Sequence, residues 1–319
     1  MNLRSLFLLL ACFYASFAKS QNLSPSAPND STLIAFASDT QAPMLVETIL
    51  LKPTNNRSAT KMLFKDIASH RPNSLFLLGD VVNLGYSTRQ WKPMDKYLDA
   101  LRDKNIGVYA ILGNHEVMGR PRKGQRKFQN RFPEHVKTGY VRIVDSVAVV
   151  LLNSNFKTMS IEENEEQLKW YKETVAALDA NPAVQYVITT CHHSPFTNSS
   201  VVSSNQTVQK LFAQPFLDSK KGKLFLSGHS HNFEHYQVEG KDFLVIGGGG
   251  GLHQPLKTGG PLLVDLQPNY KPLFHYLTVQ RVHGSLQVTS YNLKSDFSTF
   301  QEGLKLTIPT STKPVLQTL

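Results

Sequence analysis

The chain of 319 residues contains only two cysteines, Cys12 and Cys191. So few cysteines exclude a disulfide-stapled scaffold and a site built from several thiolates. We therefore expect no internal disulfide in the mature chain. Its stability must come from a packed core, for which a hydrophobic content of 41% over this length is sufficient. No long apolar run follows residue 18, so no transmembrane helix is predicted.

Motifs typical of dinucleotide and RNA binding are also missing. The glycine run at 247–251 has no strand–helix frame around it, so it is not a dinucleotide loop. The net charge of +10 indicates anionic partners such as phosphoesters or nucleic acid. However, the densest basic run is a single segment, 120–131, and no basic motif interleaved with aromatic residues appears. We therefore expect no specific binding of nucleic acid.

Residues 1–18 have the composition of a signal peptide. One charged side chain, Arg4, precedes an apolar stretch that ends in small residues. We expect cleavage after Ala18 and a secreted or periplasmic protein. The segment Leu9–Cys12, with sequence LLAC, also resembles a bacterial lipoprotein box. A membrane-anchored lipoprotein with its lipid at Cys12 is therefore the alternative prediction.

From residue 32 onward, apolar runs alternate with amphipathic helical patterns. The residues before them, 19–31, are polar and rich in Ser and Pro, which predicts a flexible leader. Strands are predicted at 32–38, 74–80, 107–114, 184–193 and 223–230, paired strands within 140–155, and helices at 56–72, 88–105 and 165–181. Alternation of this kind favours parallel pairing with helices covering the sheet, and antiparallel strands are expected toward the end. We predict a single α/β domain over residues 32–319.

Polar side chains collect where five of these strands end. The group comprises Asp39, Asp80, Asn114, His115, Glu116, His192, His193, His229 and His231. In α/β sheets ligands bind beyond the carboxyl ends of the strands, so five stretches can bring these side chains to one edge. Carboxylates, carboxamides and imidazoles are the ligands of hard-to-borderline divalent metals. Each motif alone also occurs in ordinary turns, but their order, each behind an apolar run, predicts a metal site.

The ordered motifs SDTQ, LGDVVN, LGNHE, TCHHSP and SGHSH, between Ser38 and His231, resemble the calcineurin-like metallophosphoesterase superfamily. This superfamily includes purple acid phosphatases, cyclic-nucleotide phosphodiesterases and Ser/Thr phosphatases. The resemblance implies a four-layer αββα sandwich, with central mixed β-sheets flanked by helices. It also implies a metal-dependent phosphoric ester hydrolase with two divalent or trivalent metal ions, Fe, Mn, Zn or Mg.

The resemblance assigns the metal ligands residue by residue. Asp39 is expected to bind the first metal, and Asp80 is expected to bridge both metals. Asn114 and His229 are expected to bind the second metal. His231, the second histidine of GHSH, is expected to bind the first.

Catalysis is expected to depend on His115 together with the bridging Asp80. By resemblance, His115 is no ligand but faces the phosphate, where it can donate a proton to the leaving group. The remaining second-metal ligand is His192 or His193. We favour His193, because it stands two residues before Pro195, as in the H-x-P pattern of family members.

The first motif departs from the family at Gln41, where the pattern DxH is usual. Purple acid phosphatases also lack that histidine, but they supply a tyrosine three residues after the second aspartate, a place taken here by Asn83. We therefore do not expect a purple acid phosphatase. Gln41 is predicted to be a substitute ligand, directly or through a water. In the alternative, Gln41 points away and the first site has three protein ligands.

The basic segment 120–131 follows GNHE closely. Its Arg120 and Arg122, with Asn114 and His115, are predicted to bind an anionic phosphoester substrate; a solvated loop is the alternative. The leading function is a secreted or periplasmic hydrolase of phosphomonoesters or phosphodiesters that uses a hydroxide bridging two metals. The altered first motif motivates the alternative of a catalytically weakened member that binds metal or phosphate.

Overall fold

The computed structural model describes residues 32–44, 47–50, 52 and 55–309. The predicted signal peptide, leader and Cys12 lie outside these residues. The described strands, in chain order, are β1 Leu33–Ala37, β2 Ser74–Leu77, β3 Gly107–Ala110, β4 Tyr140–Val144, β5 Val147–Leu152, β6 Tyr186–Cys191, β7 Gly222–Ser227, β8 Phe233–Val238, β9 Lys241–Ile246, β10 His275–Val282, β11 Ser285–Leu293 and β12 Phe300–Pro309.

The strands form two six-stranded mixed sheets. The first sheet has the order β12-β11-β10-β1-β2-β3, and the second has the order β4-β5-β6-β7-β9-β8. Strands β1, β2 and β3 pair in parallel, as do β5, β6, β7 and β9. The parallel pairing predicted for the first half of the chain is therefore confirmed. The antiparallel expectation for the last strands is right for β10, β11 and β12, whereas β9 also extends the parallel part of the second sheet.

Helices cover the outer faces of both sheets. They are α1 Glu47–Leu50, α2 Asn56–His70, α3 Thr88–Arg102, α4 Asn114–Val117, α5 Pro121–Gln129, α6 Ile161–Ala180, α7 Gln206–Val208 and α8 Gln214–Asp218, with a 3-10 turn at Phe156–Thr158 and a π-helical turn at Gln209–Ala213. Helix α6 begins earlier than its apolar pattern predicts, because Ser160 and Glu163 form a reciprocal capping box at its start. Within the described residues, no helix is long and apolar enough to cross a membrane.

The alternating side chains of β1 explain the four layers. Ile34 and Phe36 pack between the sheets, in one cluster with Val149 of the second sheet. Ala35 and Ala37 point to the opposite face, where they pack with residues of the helices. A separate cluster lies between the second sheet and the helices on its outer side. The four-layer αββα sandwich is therefore confirmed, and its parallel strands end along a common edge.

Candidate metal centre

Loops that follow parallel strands are hydrogen-bonded to one another at this edge. The backbone N–H of Asp39, after β1, donates to the carbonyl of Gly79, after β2, at 3.1 Å. The N–H of Gly228, after β7, donates to the carbonyl of His192, after β6, at 2.9 Å. The motif residues at these strand ends are thus brought together by main-chain contacts as well as by their side chains.

Three of the predicted ligands have a left-handed backbone. The φ angles are 58° at Asp39, 49° at Asp80 and 67° at His229, a conformation that costs roughly 1–2 kcal/mol for a residue other than glycine. Two glycines permit close approach to the carboxylates. A Cβ at Gly113 would lie 2.1 Å from Asp80 Oδ1, and one at Gly228 would lie 2.3 Å from Asp39 Oδ2. The loops at this edge therefore adopt less favourable backbone conformations, which place these carboxylates.

One group of side chains surrounds Asp80. Ligand atoms of Asp80, His192 and His229 lie within 4.8 Å of one another. His192 Nε2 is 3.3 Å from Asp80 Oδ2 and 3.0 Å from Asn114 Oδ1. The other ring nitrogen, Nδ1, donates to the carbonyl of Leu78 at 2.9 Å, which aims Nε2 at the group. Carboxylate, amide and imidazole donors in this arrangement could hold one metal ion.

The contacts of the two adjacent histidines favour His192 over His193, the residue preferred from the H-x-P spacing. His193 Nδ1 lies 2.8 Å from Ser154 Oγ, and the same hydroxyl accepts the N–H of His193 at 3.0 Å. These contacts turn the ring toward the β5 loop, while His192 faces Asp80. The His193 ring also lies near the group, with its centroid 4.5 Å from that of His229, but its Nδ1 is hydrogen-bonded to Ser154. His192 replaces His193 as the candidate ligand.

A second group lies around Asp39. His231 Nε2 is 3.4 Å from Asp39 Oδ1, and His231 Nδ1 donates to the carbonyl of Leu252 at 2.7 Å. The ring is therefore fixed in the same way as that of His192. The backbone N–H of His229 donates to Asp39 Oδ2 at 2.9 Å. His229 thus contributes its main chain to one group and its ring to the other.

Gln41 is 1% exposed and lies inside this second group. In the amide orientation that satisfies both ends, its nitrogen donates to the carbonyls of Asp39 at 3.0 Å and Asp80 at 2.8 Å. Its oxygen then faces His231 Nε2 at 3.2 Å. Neighbouring ligands of one octahedral ion with bonds of about 2.1 Å lie about 3 Å apart. The amide oxygen is therefore within ligand spacing of His231 and does not point away from the group.

His115 lies on the other side of Asp80. Its backbone N–H donates to Asp80 Oδ1 at 2.8 Å, and its Nδ1 donates to the carbonyl of Asn83 at 3.0 Å. Its Nε2 is 3.7 Å from Asp80 Oδ2. The ring is therefore held at the edge of the ligand group. Asn83, at the position of the family tyrosine, fixes this ring through its main chain.

Glu116 is a site residue whose role the sequence did not reveal. Its fully buried carboxylate accepts the backbone N–H groups of Asp80 and Gly113, both at 2.8 Å, and that of Val82 at 3.1 Å. It therefore binds the loop after β2 to the loop after β3. The sequence places Glu116 at the strand end, three residues after Gly113, which suits its capping bond to the Gly113 N–H, but its contacts with the loop after β2 have no local sequence signal.

Burial and mutual charge shift the pKa values of this cluster. Burial lowers the pKa of His192, but the Asp80 carboxylate more than offsets this effect and raises it to about 9. Burial opposes ionisation of Asp80 as well, yet His192 and His115 hold its pKa well below the usual range. Burial, followed by repulsion from neighbouring rings, lowers the pKa of His193 to about 3 and that of His229 in the same direction. His229 is thus neutral at neutral pH, with a lone pair available for a metal.

The predicted substrate residues Arg120 and Arg122 do not join the ligand group. Arg120 directly precedes α5 and Arg122 lies in its first turn, so the segment 120–131 is largely helical and is not a solvated loop. Helix α5 packs against the site loop at Gly124, where a Cβ would lie 1.9 Å from the carbonyl oxygen of Glu116. Both arginines are exposed and line an open cleft beside the centre.

The comparisons with known proteins agree with this geometry. A family model described as calcineurin-like phosphoesterase matches residues 32–233. The structure resembles GAP50, the anchor in the inner membrane complex of Plasmodium, with a TM-score of 0.66 at 12% identity, covering 89% of this chain and 90% of that chain. It also resembles a purple acid phosphatase from yellow lupin seeds, with a TM-score of 0.65 at 15% identity, covering 89% of this chain and 55% of that chain.

A dimetal phosphatase from Danio rerio has a TM-score of 0.52 at 14% identity, and the match covers 88% of this chain and 99% of that chain. At these identities, the likeness to solved structures shows the fold alone. No curated protein matches the sequence.

Proposed function

Because the chain belongs to the calcineurin-like phosphoesterase family of metal-dependent phosphoester hydrolases, we propose that it hydrolyses a phosphoester at a centre for two metal ions. The observation that carries this proposal is that two residues, Asp80 and His229, each contact both groups. Asp80 faces His192 and His115, while its carbonyl accepts the Gln41 amide of the other group. Asp80 thus contacts one group through its carboxylate and the other through its main chain, and we propose that its carboxylate bridges the two ions.

The donor set fits such ions. We assign to the first ion Asp39, Gln41, His231 and Asp80, and to the second ion Asp80, Asn114, His192 and His229. In each group one histidine, His192 or His231, gives Nδ1–H to a backbone carbonyl, which leaves Nε2 as the donor to the metal. When bound, two ions of this kind supply a hydroxide nucleophile near neutral pH and stabilise the phosphoryl oxygens.

His115 is proposed to protonate the leaving oxygen. Burial lowers its pKa, but Asp80 and the carbonyl of Asn83 together raise it above the ordinary value. These contacts favour the protonated ring, in which Nδ1–H is donated to Asn83 and Nε2–H is available for the substrate. Asn114 and the arginines of the adjoining cleft are proposed to bind the anionic phosphoester.

The cellular location belongs to the same proposal and depends on residues 1–18 alone. A cleaved signal peptide would make residues 32–319 a secreted or periplasmic catalytic domain, and lipidation of Cys12 would keep it at a membrane. Mass analysis of the N-terminus after expression in a secreting host separates these two forms.

The proposal is tested with a panel of chromogenic phosphomonoesters and phosphodiesters after reconstitution with Mn, Fe, Zn or Mg. Asp80→Asn keeps the size of the side chain, and we expect it to lose metal from both sites together with turnover. Asp145→Asn is the matched control, because Asp145 is also buried and has a φ of 56° but lies in the turn between β4 and β5. Two bound ions without any turnover would favour the catalytically weakened alternative. Full metal retention in Asp80→Asn would refute the assignment of the centre.

A further inference from the structure

A buried carboxylate outside the two ligand groups contacts the loop after β7. Glu234, the second residue of β8, is completely buried. Its Oε1 accepts the hydroxyl groups of Thr197 at 2.6 Å and of Ser230 at 3.1 Å. Its Oε2 accepts the backbone N–H of Asn198 at 2.7 Å and the hydroxyl group of Tyr236. Four donors therefore use the acceptor sites of both oxygens, an arrangement that a neutral amide cannot reproduce.

The donors to Glu234 come from two loops that supply histidines to the metal centre. The loop after β6 begins with His192 and contributes Thr197 and Asn198. The loop after β7 contributes Ser230, the residue between the two histidines of the motif GHSH. Thr197 Oγ1 also lies 3.1 Å from Ser230 Oγ. The carboxylate therefore joins both loops at one point.

The main chain on either side of Ser230 is tightly turned. The N–H of Ser230 donates to the carbonyl of Gly228 at 2.8 Å, and the N–H of Asn232 donates to the carbonyl of Ser230 at 2.7 Å. Each bond closes a three-residue γ-turn. His229, the central residue of the first turn, has a φ of 67°, which belongs to the rarer and strained form of this turn. A strained backbone of this kind persists only where the surrounding contacts hold it.

This double turn directs three successive side chains to different places. The His229 ring joins the group assigned to the second ion, and the His231 ring joins the group assigned to the first ion. Ser230 is completely buried between them, and its hydroxyl group donates to Glu234. A shift of Ser230 would change the direction of both rings, because the three residues share one tight stretch of main chain.

We propose that Glu234 is a positioning residue of the metal centre, which holds Ser230 and thereby aims His229 and His231 at different ions. The inference rests on the two-ion centre of the proposed function and does not depend on turnover. Glu234 is not a ligand in this assignment. Its effect on the ions passes through the loop that it holds, as for other residues that orient the ligands of a metal.

The test measures the metal affinity of Glu234→Gln, which keeps the size of the side chain but sets an N–H₂ group against donors. Mn²⁺ is titrated calorimetrically into the full-length chain after removal of metal with a chelator. We expect both sites to bind about tenfold to a hundredfold more weakly than in wild type. The visible absorption of bound Co²⁺, which reports the ligands around the ion, should also change.

Asp179→Asn is the matched control. The Asp179 carboxylate likewise joins two segments, since it accepts the hydroxyl group of Ser219 at 2.8 Å and the backbone N–H groups of Lys220 at 2.8 Å and Lys221 at 2.9 Å. These three residues precede β7, whereas the loop held by Glu234 follows it. Asp179→Asn should lower the free energy of unfolding in urea but keep both metal affinities and the Co²⁺ spectrum.

Ser230→Ala tests the same contact if Glu234→Gln does not fold. Loss of this one hydrogen bond should weaken both sites about threefold to tenfold. Ser230→Ala/Glu234→Gln should bind metal no more weakly than Glu234→Gln alone, because the two residues act as one unit.

Unchanged metal affinities in Glu234→Gln or Ser230→Ala, or an equal loss of affinity in Asp179→Asn, would overturn the inference. Two ions bound by wild type without hydrolysis would refute the proposed hydrolysis alone, and a wild type that binds no ion would overturn both proposals.

Discussion

Replacing Gln41 by alanine should weaken the first metal site and also destabilise the fold. The side chain is buried, and its amide nitrogen joins the carbonyls of Asp39 and Asp80 at 3.0 and 2.8 Å. Each buried hydrogen bond contributes about 0.5–1.5 kcal/mol net, so the loss of two should lower the free energy of unfolding by about 1–3 kcal/mol. Loss of the amide oxygen near His231 should weaken binding of the first ion about tenfold to a hundredfold, as for other changes around metal sites.

Two measurements separate these effects. Urea unfolding in the presence of a chelator gives the stability change of Gln41→Ala, and calorimetric metal titration gives the affinity of each site. Gln167→Ala is the matched control, because Gln167 is also 1% exposed and hydrogen-bonds the backbone N–H and carbonyl of Asn153 at 2.9 and 3.0 Å. It should lose similar stability but keep both metal affinities.

Gln41→His supplies the opposite change at the same position. An imidazole is a stronger donor than a neutral amide to borderline metals, so this variant should bind the first ion more tightly and shift its preference from Mg toward Zn or Fe. If wild type, Gln41→Ala and Gln41→His bind the first ion equally, Gln41 is a clamp between two loops and not a ligand.

Three further outcomes are expected. His192→Ala should lose the second metal ion, whereas His193→Ala should retain it, since His193 faces Ser154; elemental analysis with the reverse result would restore His193 as the ligand. His115→Ala should retain both ions and lower kcat about a hundredfold, and unchanged turnover would exclude proton donation by His115. Burial lowers the pKa of the His275 ring to about 3, whereas the same ring has a pKa of about 6.5 in the unfolded chain. As the pH falls below about 6.5, the unfolded chain binds this proton and the folded protein does not, so the free energy of unfolding should decrease by about 3 kcal/mol by pH 4. Urea unfolding of His275→Phe should show a smaller loss of unfolding free energy between pH 6.5 and pH 4 than wild type, and an equal loss in the two proteins would contradict this origin.

The sequence predicts most of the fold because buried strands and polar strand ends leave local signals. The apolar runs of β1, β2 and β3 stop at Asp39, Asp80 and Asn114 or shortly before them, and the structure brings these strand ends to one edge. Element boundaries differ by a few residues where a cap decides them. The start of α6 at Ile161 is such a case, since Ser160 and not the apolar pattern determines it.

Side-chain direction and long-range contacts are what the sequence does not predict. The H-x-P spacing counts positions along the chain and favours His193. The structure favours His192, because the His193 ring is hydrogen-bonded to Ser154, which stands 39 residues earlier in the sequence. No local pattern contains that contact. The helix α5, in contrast, had a readable signal, since Pro121 suits a first helical position and Gly124 and Phe128 are spaced by four residues. The strong basic character of the segment obscured this amphipathic spacing.

The left-handed backbone at Asp39 and Asp80 has a consequence for how this protein can change by mutation. Asparagine and glycine tolerate that conformation nearly as well as aspartate or better, whereas most other residues do not. Substitution of either aspartate by asparagine would therefore remove a negative charge while the loop keeps its path. Metal binding and the fold can therefore be lost separately at these positions, so a related protein that no longer hydrolyses phosphoesters can keep the four-layer sandwich. A survey of substitutions at residues 39 and 80 would consequently be expected to contain mostly asparagine and glycine in chains that remain folded.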